Sequence, residues 1–222
     1  VLDGLAVAVP AGDVGRLVAL HGPEAVDDVL GDLVLRVAEV DGAVGVRGAV
    51  VQDELVVARV LLACQLVDVV LAPDLEKNVL DMYSGAGTFS VFLTDSFENV
   101  ILVEHNKSAV VYAEQNLAGK KHKSFGVSGD VWVKYHAETC IKECGNFDAV
   151  VIDPPRSGME KSVQKWLQNS KIPQIRSLSC DPSTHARDAK ALINSGYRLE
   201  KLFLLDFYPQ TGHIESLGYF EK

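Results

Sequence analysis

Short apolar runs alternate with stretches of helical length from residue 78 onward, and this alternation limits the fold more than any other feature of the sequence. Strands separated by helices form right-handed βαβ units, whose strands are parallel. The last two runs predict a closing β-hairpin. The expected strands are 79–82, 100–103, 124–127, 147–152, 175–179, 199–205 and 216–220, and the expected helices are 107–118, 131–143, 160–169 and 183–195. We therefore predict an α/β domain with a mainly parallel sheet.

The composition changes before this region. Residues 1–50 are rich in Val, Ala, Gly and Asp, and their short apolar runs predict a small α+β segment without recognisable chemistry. Residues 52–66 look helical, with polar residues leading an apolar face. We divide the chain into a small N-terminal segment, 1–50, and an α/β domain, 51–222.

Charge and cysteine content exclude several classes of protein. A net charge of −9 argues against a self-sufficient nucleic-acid binder, although basic residues can still cluster locally, as at 120–123. Four cysteines are too few for a disulfide scaffold, and the spacing of Cys140 and Cys144 is not a zinc spacing. No apolar run is long enough to span a membrane, and no signal peptide is recognisable. We expect a cytoplasmic monomer without a metal.

A glycine loop follows the first predicted strand, in the segment VLDMYSGAGTF. Gly85 and Gly87 allow a tight turn and close approach of a ligand, at the carboxyl end of a strand where open α/β sheets bind ligands. Glu104 ends the next strand, about 20 residues later, where an acid can accept hydrogen bonds from both ribose hydroxyls. The loop lacks the third glycine of the dinucleotide fingerprint and carries Asp81, a form typical of methyltransferases.

Two other acids and a cysteine follow predicted strands, and a third acid precedes one. Asp153 begins the segment DPPRSG, whose prolines hold an extended loop beside the cofactor; this motif is typical of methyltransferases that act on nucleobases or amide nitrogens. Cys180 follows the next strand, so it should share the same crevice. Glu215 precedes the last strand and could serve as a general base. Asp130 could reach an adenine edge or cap the helix 131–143, and we weigh these two roles equally.

One cysteine and one carboxylate suit methylation at C5 of uracil. That carbon is a poor nucleophile, but a thiolate that adds to C6 pushes electron density to C5, which then attacks an electrophilic methyl group. A base must afterwards remove the C5 proton. A uracil within a folded RNA would first be flipped out of its stack. His213 could also take part, although a packed or solvent-exposed histidine is the more common case.

Together these segments resemble the RNA uracil-5-methyltransferase family, which modifies tRNA and 23S ribosomal RNA. The matching segments, within roughly 76–222, are VLDMYSGAGTFS, VEHNKSAVVYAEQN, FDAVVIDPPRSGM, IRSLSCDPSTHARD and LLDFYPQTGHIES. The resemblance implies a Rossmann-like class I methyltransferase fold that uses S-adenosyl-L-methionine, and an RNA uridine as substrate. It implies Cys180 as nucleophile and Glu215 as the base that removes the C5 proton. It places Tyr83, Thr88, Glu104 and Asp153 around the cofactor.

The chain departs from the family in three respects. Val46, within the stretch 43–48, stands where family members usually carry a glutamine that touches the cofactor. The cysteine-rich cluster motif of some members and an N-terminal RNA-binding β-barrel are not recognisable. Asp181 replaces the asparagine that commonly follows the nucleophile.

Two other functions remain open. The chain could methylate a protein amide or a small molecule, in which case Cys180 would be dispensable. It could also be a non-catalytic module that binds RNA or a partner, which the altered stretch 43–48 and the acidic charge favour slightly.

Overall fold

The computed structural model describes residues 78–205 and 214–222. The predictions for residues 1–50, the stretch 43–48, the helix 52–66 and His213 lie outside the described residues. Seven strands are present in the described ranges: β1 Asn78–Met82, β2 Asn99–Val103, β3 His122–Phe125, β4 Ala149–Ile152, β5 Gln174–Ser179, β6 Arg198–Leu205 and β7 Glu215–Glu221.

These strands form one sheet in the order β3-β2-β1-β4-β5-β7-β6. The first five strands pair in parallel, whereas β7 lies antiparallel between β5 and β6. The predicted α/β fold with a closing hairpin is therefore confirmed. The strand order reverses between β1 and β4, and in open α/β sheets this reversal opens a crevice at the carboxyl ends of the strands.

Six helices connect the strands of the described part: α1 Ser90–Ser96, α2 Lys107–Asn116, α3 Gly129–Tyr135, α4 Ala137–Cys144, α5 Lys161–Asn169 and α6 Pro182–Asn194. The single helix predicted for 131–143 is wrong, because the chain leaves helical geometry at His136, with φ −120° and ψ −30°. Trp132 and Ala137 are both buried. In one continuous helix they would lie about 140° apart, so the break allows both to face the core.

Two apolar layers cover the two faces of the sheet. One contains Leu80, Met82, Val150 and Ile152 packed with Trp132. The alternate strand residues, including Val79, Val100 and Leu102, pack in the second layer. Helices cover both faces of a parallel sheet, so its central strands are buried along their whole length. Every residue of β1 and β4 is indeed buried. The predicted strand start at 147 was two residues early, although Phe147 still belongs to the core.

Candidate active site

The loop after β1 is shaped by backbone contacts to β2. Tyr83 N and Ser84 N both donate to the carbonyl oxygen of Val103, at 2.9 and 3.1 Å. Tyr83 has φ +65°, and Gly85 and Gly87 have φ +55° and +78°. A side chain at Gly87 would press against Ala113 of α2. The loop thus turns tightly over the end of β2, as the glycines predicted.

Glu104 is fixed at the tip of β2 by main-chain donors. Gly85 N donates to its Oε2 at 3.0 Å, and Asn106 N donates to its Oε1 at 2.7 Å. The residue is only 9% exposed. These two bonds hold the carboxylate directly beside the glycine loop. Thr88 lies half-buried in the turn between that loop and α1.

Asp81 is buried beneath the same loop. Its Oδ2 accepts from Ser90 Oγ at 2.6 Å, while its Oδ1 has no hydrogen-bond partner. Burial raises the pKa of Asp81 to about 7, and the Ser90 hydrogen bond offsets only part of this effect. The hydroxyl of Ser84 is likewise buried without a partner. Two buried oxygen atoms beneath the loop are therefore without a hydrogen-bond partner.

Tyr83 is held by a residue that sequence reasoning missed. Its hydroxyl donates to Glu160 Oε2 at 3.0 Å and accepts from Glu160 N at 3.3 Å. Burial raises the pKa of Tyr83, so the phenol stays protonated. Gly129 provides the space for this contact, because a side chain there would overlap Glu160 Oε2. Only the folded structure shows this pair, since the two residues are 77 positions apart.

Asp130 does not cap its helix. Ser128 is the N-cap of α3, and its Oγ accepts from Val131 N at 3.4 Å. Asp130 lies in the first turn, exposed, and its Oδ1 accepts a hydrogen bond from Ser162 Oγ. The capping role considered for Asp130 is therefore wrong, and a role toward a cofactor stays a prediction.

A cleft of about 600 Å³ opens beside these residues. Its walls include Tyr83, Ser128, Ser157, Glu160, Lys161 and Arg187. They come from the loops after β1, β3 and β4 and from α5 and α6. The cleft is large enough for a small ligand.

Asp153 is the first residue after β4. Its backbone N donates to the carbonyl oxygen of Met82 at 3.3 Å, which ties it to the end of β1. The side chain is half-buried, Pro154 is buried and Pro155 is exposed. The DPPRSG loop thus begins at the carboxyl end of β4, as predicted, and this end lies at the switch point of the sheet.

The pairing of β5 with β7 brings the predicted nucleophile and base together. The antiparallel register runs from Gln174 opposite Glu221 to Ser179 opposite Ser216. Cys180 follows Ser179 and Glu215 precedes Ser216, so both residues adjoin the last pair of this register. Cys180 is a free, half-buried thiol, and Glu215 is half-buried.

A buried hydrogen-bond chain lies next to this pair. Ser216 Oγ donates to the carbonyl oxygen of Ser179 at 3.3 Å, so it must accept from His185 Nδ1, 2.6 Å away. His185 Nε2 is then unprotonated, buried and without a partner. Burial lowers the pKa of His185, in agreement with a neutral ring. These hydrogen bonds connect α6 to Ser179 and Ser216, which adjoin Cys180 and Glu215 in the sequence.

Helix α6 begins two residues after Cys180. Asp181 is its N-cap and accepts from Thr184 N at 2.8 Å and from Ser183 Oγ at 2.5 Å. Both hydrogen bonds lower the pKa of Asp181, and the bond from Ser183 has the larger effect. Cys180 therefore directly precedes the N-cap residue of α6.

In the described ranges, no helix is long and apolar enough to cross a bilayer. Nor does that part of the chain bring together three or more side chains able to hold a metal ion. Cys140 and Cys144 line a separate groove of about 270 Å³ at the amino ends of β2 and β3.

Comparison with known proteins agrees with this site. A methyltransferase small domain matches residues 57–170, and a tRNA (uracil-5-)-methyltransferase domain matches residues 139–222. An uncharacterised RNA methyltransferase of Treponema denticola is 45% identical over 165 residues, 67% of this chain and 40% of that protein. A 23S rRNA (uracil(1939)-C(5))-methyltransferase of a Shewanella species is 36% identical over 156 residues, 68% of this chain and 33% of that protein.

A solved structure supports the same assignment. The tRNA (uracil-54, C5)-methyltransferase of Pyrococcus abyssi, in complex with S-adenosyl-L-homocysteine, superposes with a TM-score of 0.59 and 30% identity. The match covers 73% of this chain and 38% of that one. The chain thus spans 33–40% of the length of these three relatives. On its fold, sequence motifs and these matches, the chain belongs to the RNA (uracil-5-)-methyltransferase family of class I methyltransferases.

Proposed function

We propose that this chain carries the catalytic machinery for methylation of C5 of a uracil in rRNA or tRNA, which forms 5-methyluridine. The observation that carries the proposal is the pairing of Ser179 with Ser216, since the free thiol of Cys180 and the carboxylate of Glu215 are the next residues along the chain from this pair. Uracil C5 methylation requires one nucleophile and one base on the same substrate ring. An amide or small-molecule methyltransferase would need neither a thiol nor this pairing.

The loop after β1 fits S-adenosyl-L-methionine. Its ribose hydroxyls are donors, and the carboxylate of Glu104 at the end of β2 lies beside the loop as their acceptor. Nothing lies within 4 Å of a Cβ built at Gly85, so the space above the loop is open. When bound, the cofactor supplies a methyl group on a positively charged sulfur. Tyr83, Thr88, Asp130 and Asp153 are the further residues that we assign to this site.

Cys180 starts the reaction as a thiolate that adds to C6 of the uracil. The new S–C6 bond moves electron density to C5, which becomes the nucleophile that takes the methyl group. Asp153, at the start of its proline-fixed loop, orients the uracil ring beside the cofactor.

Glu215 completes the reaction. After methyl transfer, C5 carries both the methyl group and its original proton. Glu215 takes that proton, the electron pair restores the C5–C6 double bond, and the sulfur of Cys180 leaves C6. The thiolate and the 5-methyluridine product are then both free.

The acidic charge of −9 predicts weak affinity of this chain alone for RNA, because phosphate contacts require Lys and Arg. We expect the chain to act as a monomer without a metal, in the cytoplasm. Lys161 and Arg187 place positive charge on the wall of the cleft, where a flipped-out uridine would enter.

The test is a methyl-transfer assay on total RNA, with 5-methyluridine quantified in the hydrolysed product. The parent chain should form 5-methyluridine, and Cys180→Ala should reduce its rate about 10³-fold or more. Cys144→Ala is the matched control, because this thiol lies in the groove at the opposite end of the strands, and it should retain full activity. Equal activity of Cys180→Ala and the parent chain would favour an amide or small-molecule substrate. Absence of cofactor binding by calorimetry would favour a non-catalytic module.

A further inference from the structure

Three side chains of α6 form hydrogen bonds with the backbone of residues 156–159, in and just after the DPPRSG segment. Thr184 Oγ1 lies 3.1 Å from the carbonyl oxygen of Arg156 and 3.1 Å from that of Asp181, and its single proton is shared between them. Arg187 Nη2 donates to the carbonyl oxygen of Ser157 at 2.9 Å. Asp188 Oδ2 accepts from the backbone N of Met159 at 2.8 Å. Three peptide groups of one short loop are therefore bound by one face of one helix.

The carboxylate of Asp188 is the centre of this arrangement. It is 3% exposed, and its Oδ1 accepts from Arg187 Nε and Nη2 at 2.9 and 2.8 Å. Gln164 Nε2, from α5, donates to the same oxygen at 3.2 Å. Hydrogen bonds to an ionised group are about twice as strong as neutral ones. Asp188 thus joins α5, α6 and the loop at one buried point.

Gly158 shows how closely the loop and the helix approach. It has φ +82°, a conformation that favours glycine. A Cβ at this position would overlap Arg187 Nη2 and Asp188 Oδ2. The loop conformation and the two α6 side chains are therefore adapted to one another.

We propose that Thr184, Arg187 and Asp188 are positioning residues that lock the Asp153 loop to Cys180 as one unit. Cys180 lies two residues before α6, while Asp153 begins the loop that α6 holds. A fixed distance between these segments sets the uracil ring against the thiolate and the methyl group at once. Misplacement by about 1 Å can cost about 10²-fold in rate. This inference rests on the proposed function.

The test compares Asp188→Asn, Arg187→Gln and Arg187→Lys with Lys190→Gln, an exposed cation on the same helix. Single-turnover methyl transfer should fall about 10- to 100-fold in Asp188→Asn and Arg187→Gln, with unchanged affinity for the cofactor. Arg187→Lys should recover only part of the rate, since an ammonium cannot bond Ser157 and Asp188 in the same planar fork. Lys190→Gln should behave as the parent chain.

Hydrogen exchange measures the contact between α6 and the loop independently of methyl transfer. The Met159 amide should exchange faster in Asp188→Asn, because it loses a charge-assisted bond, while Lys190→Gln leaves it protected. Parent-like rates of methyl transfer in Asp188→Asn and Arg187→Gln would overturn the inference, as would an equal loss of cofactor affinity, which indicates general damage. A parent chain that shows a protected Met159 amide but no methyl transfer to RNA would refute the proposed function and, with it, this inference. The contacts between α6 and the loop would then have a structural role only.

Discussion

Two main-chain donors hold Glu104 beside the glycine loop, whereas a contact between two side chains, His185 and Ser216, helps to hold the strand ends beside Cys180. Glu104 accepts from two peptide N–H groups, and the turn at Tyr83 is closed by the carbonyl oxygen of Val103. Near Cys180, by contrast, His185 bonds Ser216. Backbone contacts depend little on which neighbouring side chain is present. We therefore expect the structural effect of a single substitution to reach further in the region of Cys180 than in the cofactor loop.

The largest effect should come from Glu215→Gln. An amide cannot take the C5 proton, so turnover should fall about 10²- to 10⁴-fold while cofactor affinity stays unchanged. The methylated RNA should remain attached to Cys180, and a denaturing gel would detect the complex. Glu138→Gln, an exposed acid on α4, is the control. Normal turnover in Glu215→Gln would remove this residue from the mechanism.

The cofactor region should respond differently to Glu104→Gln. One of the two peptide donors, Gly85 N or Asn106 N, would then face an amide NH₂ instead of an oxygen. A buried bond to a charged group contributes about 1.5–3 kcal/mol, so cofactor affinity should fall about 10- to 100-fold in calorimetry. Glu114→Gln, on the outer face of α2, should bind normally. Unchanged affinity in Glu104→Gln would contradict the assignment of the loop.

The raised pKa of Asp81 is tested by the pH dependence of the free energy of unfolding in Asp81→Asn. The folded-state pKa of Asp81, about 7, lies above the ordinary value of 3.8, so between these values the folded chain holds a proton that the unfolded chain releases. Stability due to Asp81 is therefore present below pH 4 and lost as pH rises to 7. Asparagine avoids this loss, so the variant should match the parent at low pH and exceed it at pH 8.5 by at most about 4 kcal/mol. Urea unfolding measures the difference, with Asp95→Asn as control; a constant difference across pH would contradict the raised pKa.

The smallest effect should follow Ser216→Ala. The change removes the acceptor of His185 and the donor to Ser179, so β5 and β7 lose one side-chain link beside the reacting pair. A lost hydrogen bond of about 1 kcal/mol corresponds to about a fivefold change. We expect about a three- to tenfold slower methyl transfer with normal cofactor affinity. His185→Asn, which can still offer an amide donor, should lose less activity than His185→Leu; equal losses would argue against the link.

The two regions also differ in how far the sequence predicts them. Glu104, Asp153 and Cys180 were located correctly after strand ends because apolar runs mark the strands, and parallel strands bring their carboxyl ends to one edge. Glu215 was predicted to precede the last strand, but it is the first residue of β7. The break at His136 was not foreseen, since the apolar pattern continues through it and only packing of Trp132 and Ala137 requires it.

The contacts that sequence reasoning missed join residues far apart in the chain. Tyr83 and Glu160 are 77 positions apart, Met159 and Asp188 are 29 apart, and His185 and Ser216 are 31 apart. Each of these residues reads locally as an ordinary helix, loop or strand position. Their pairing depends on the register of the sheet and on the tilt of α5 and α6, which no local pattern specifies.

The central claim is that Cys180 bonds covalently to uracil C6, and it is tested most directly by trapping. The chain is incubated with tritiated S-adenosyl-L-methionine and RNA that contains 5-fluorouridine, whose fluorine cannot leave as a proton does. We predict a labelled protein–RNA band on a denaturing gel that persists in Cys144→Ala and disappears in Cys180→Ala. A chain that binds the cofactor and methylates unsubstituted RNA, yet gives no such band or an undiminished one in Cys180→Ala, would contradict the claim.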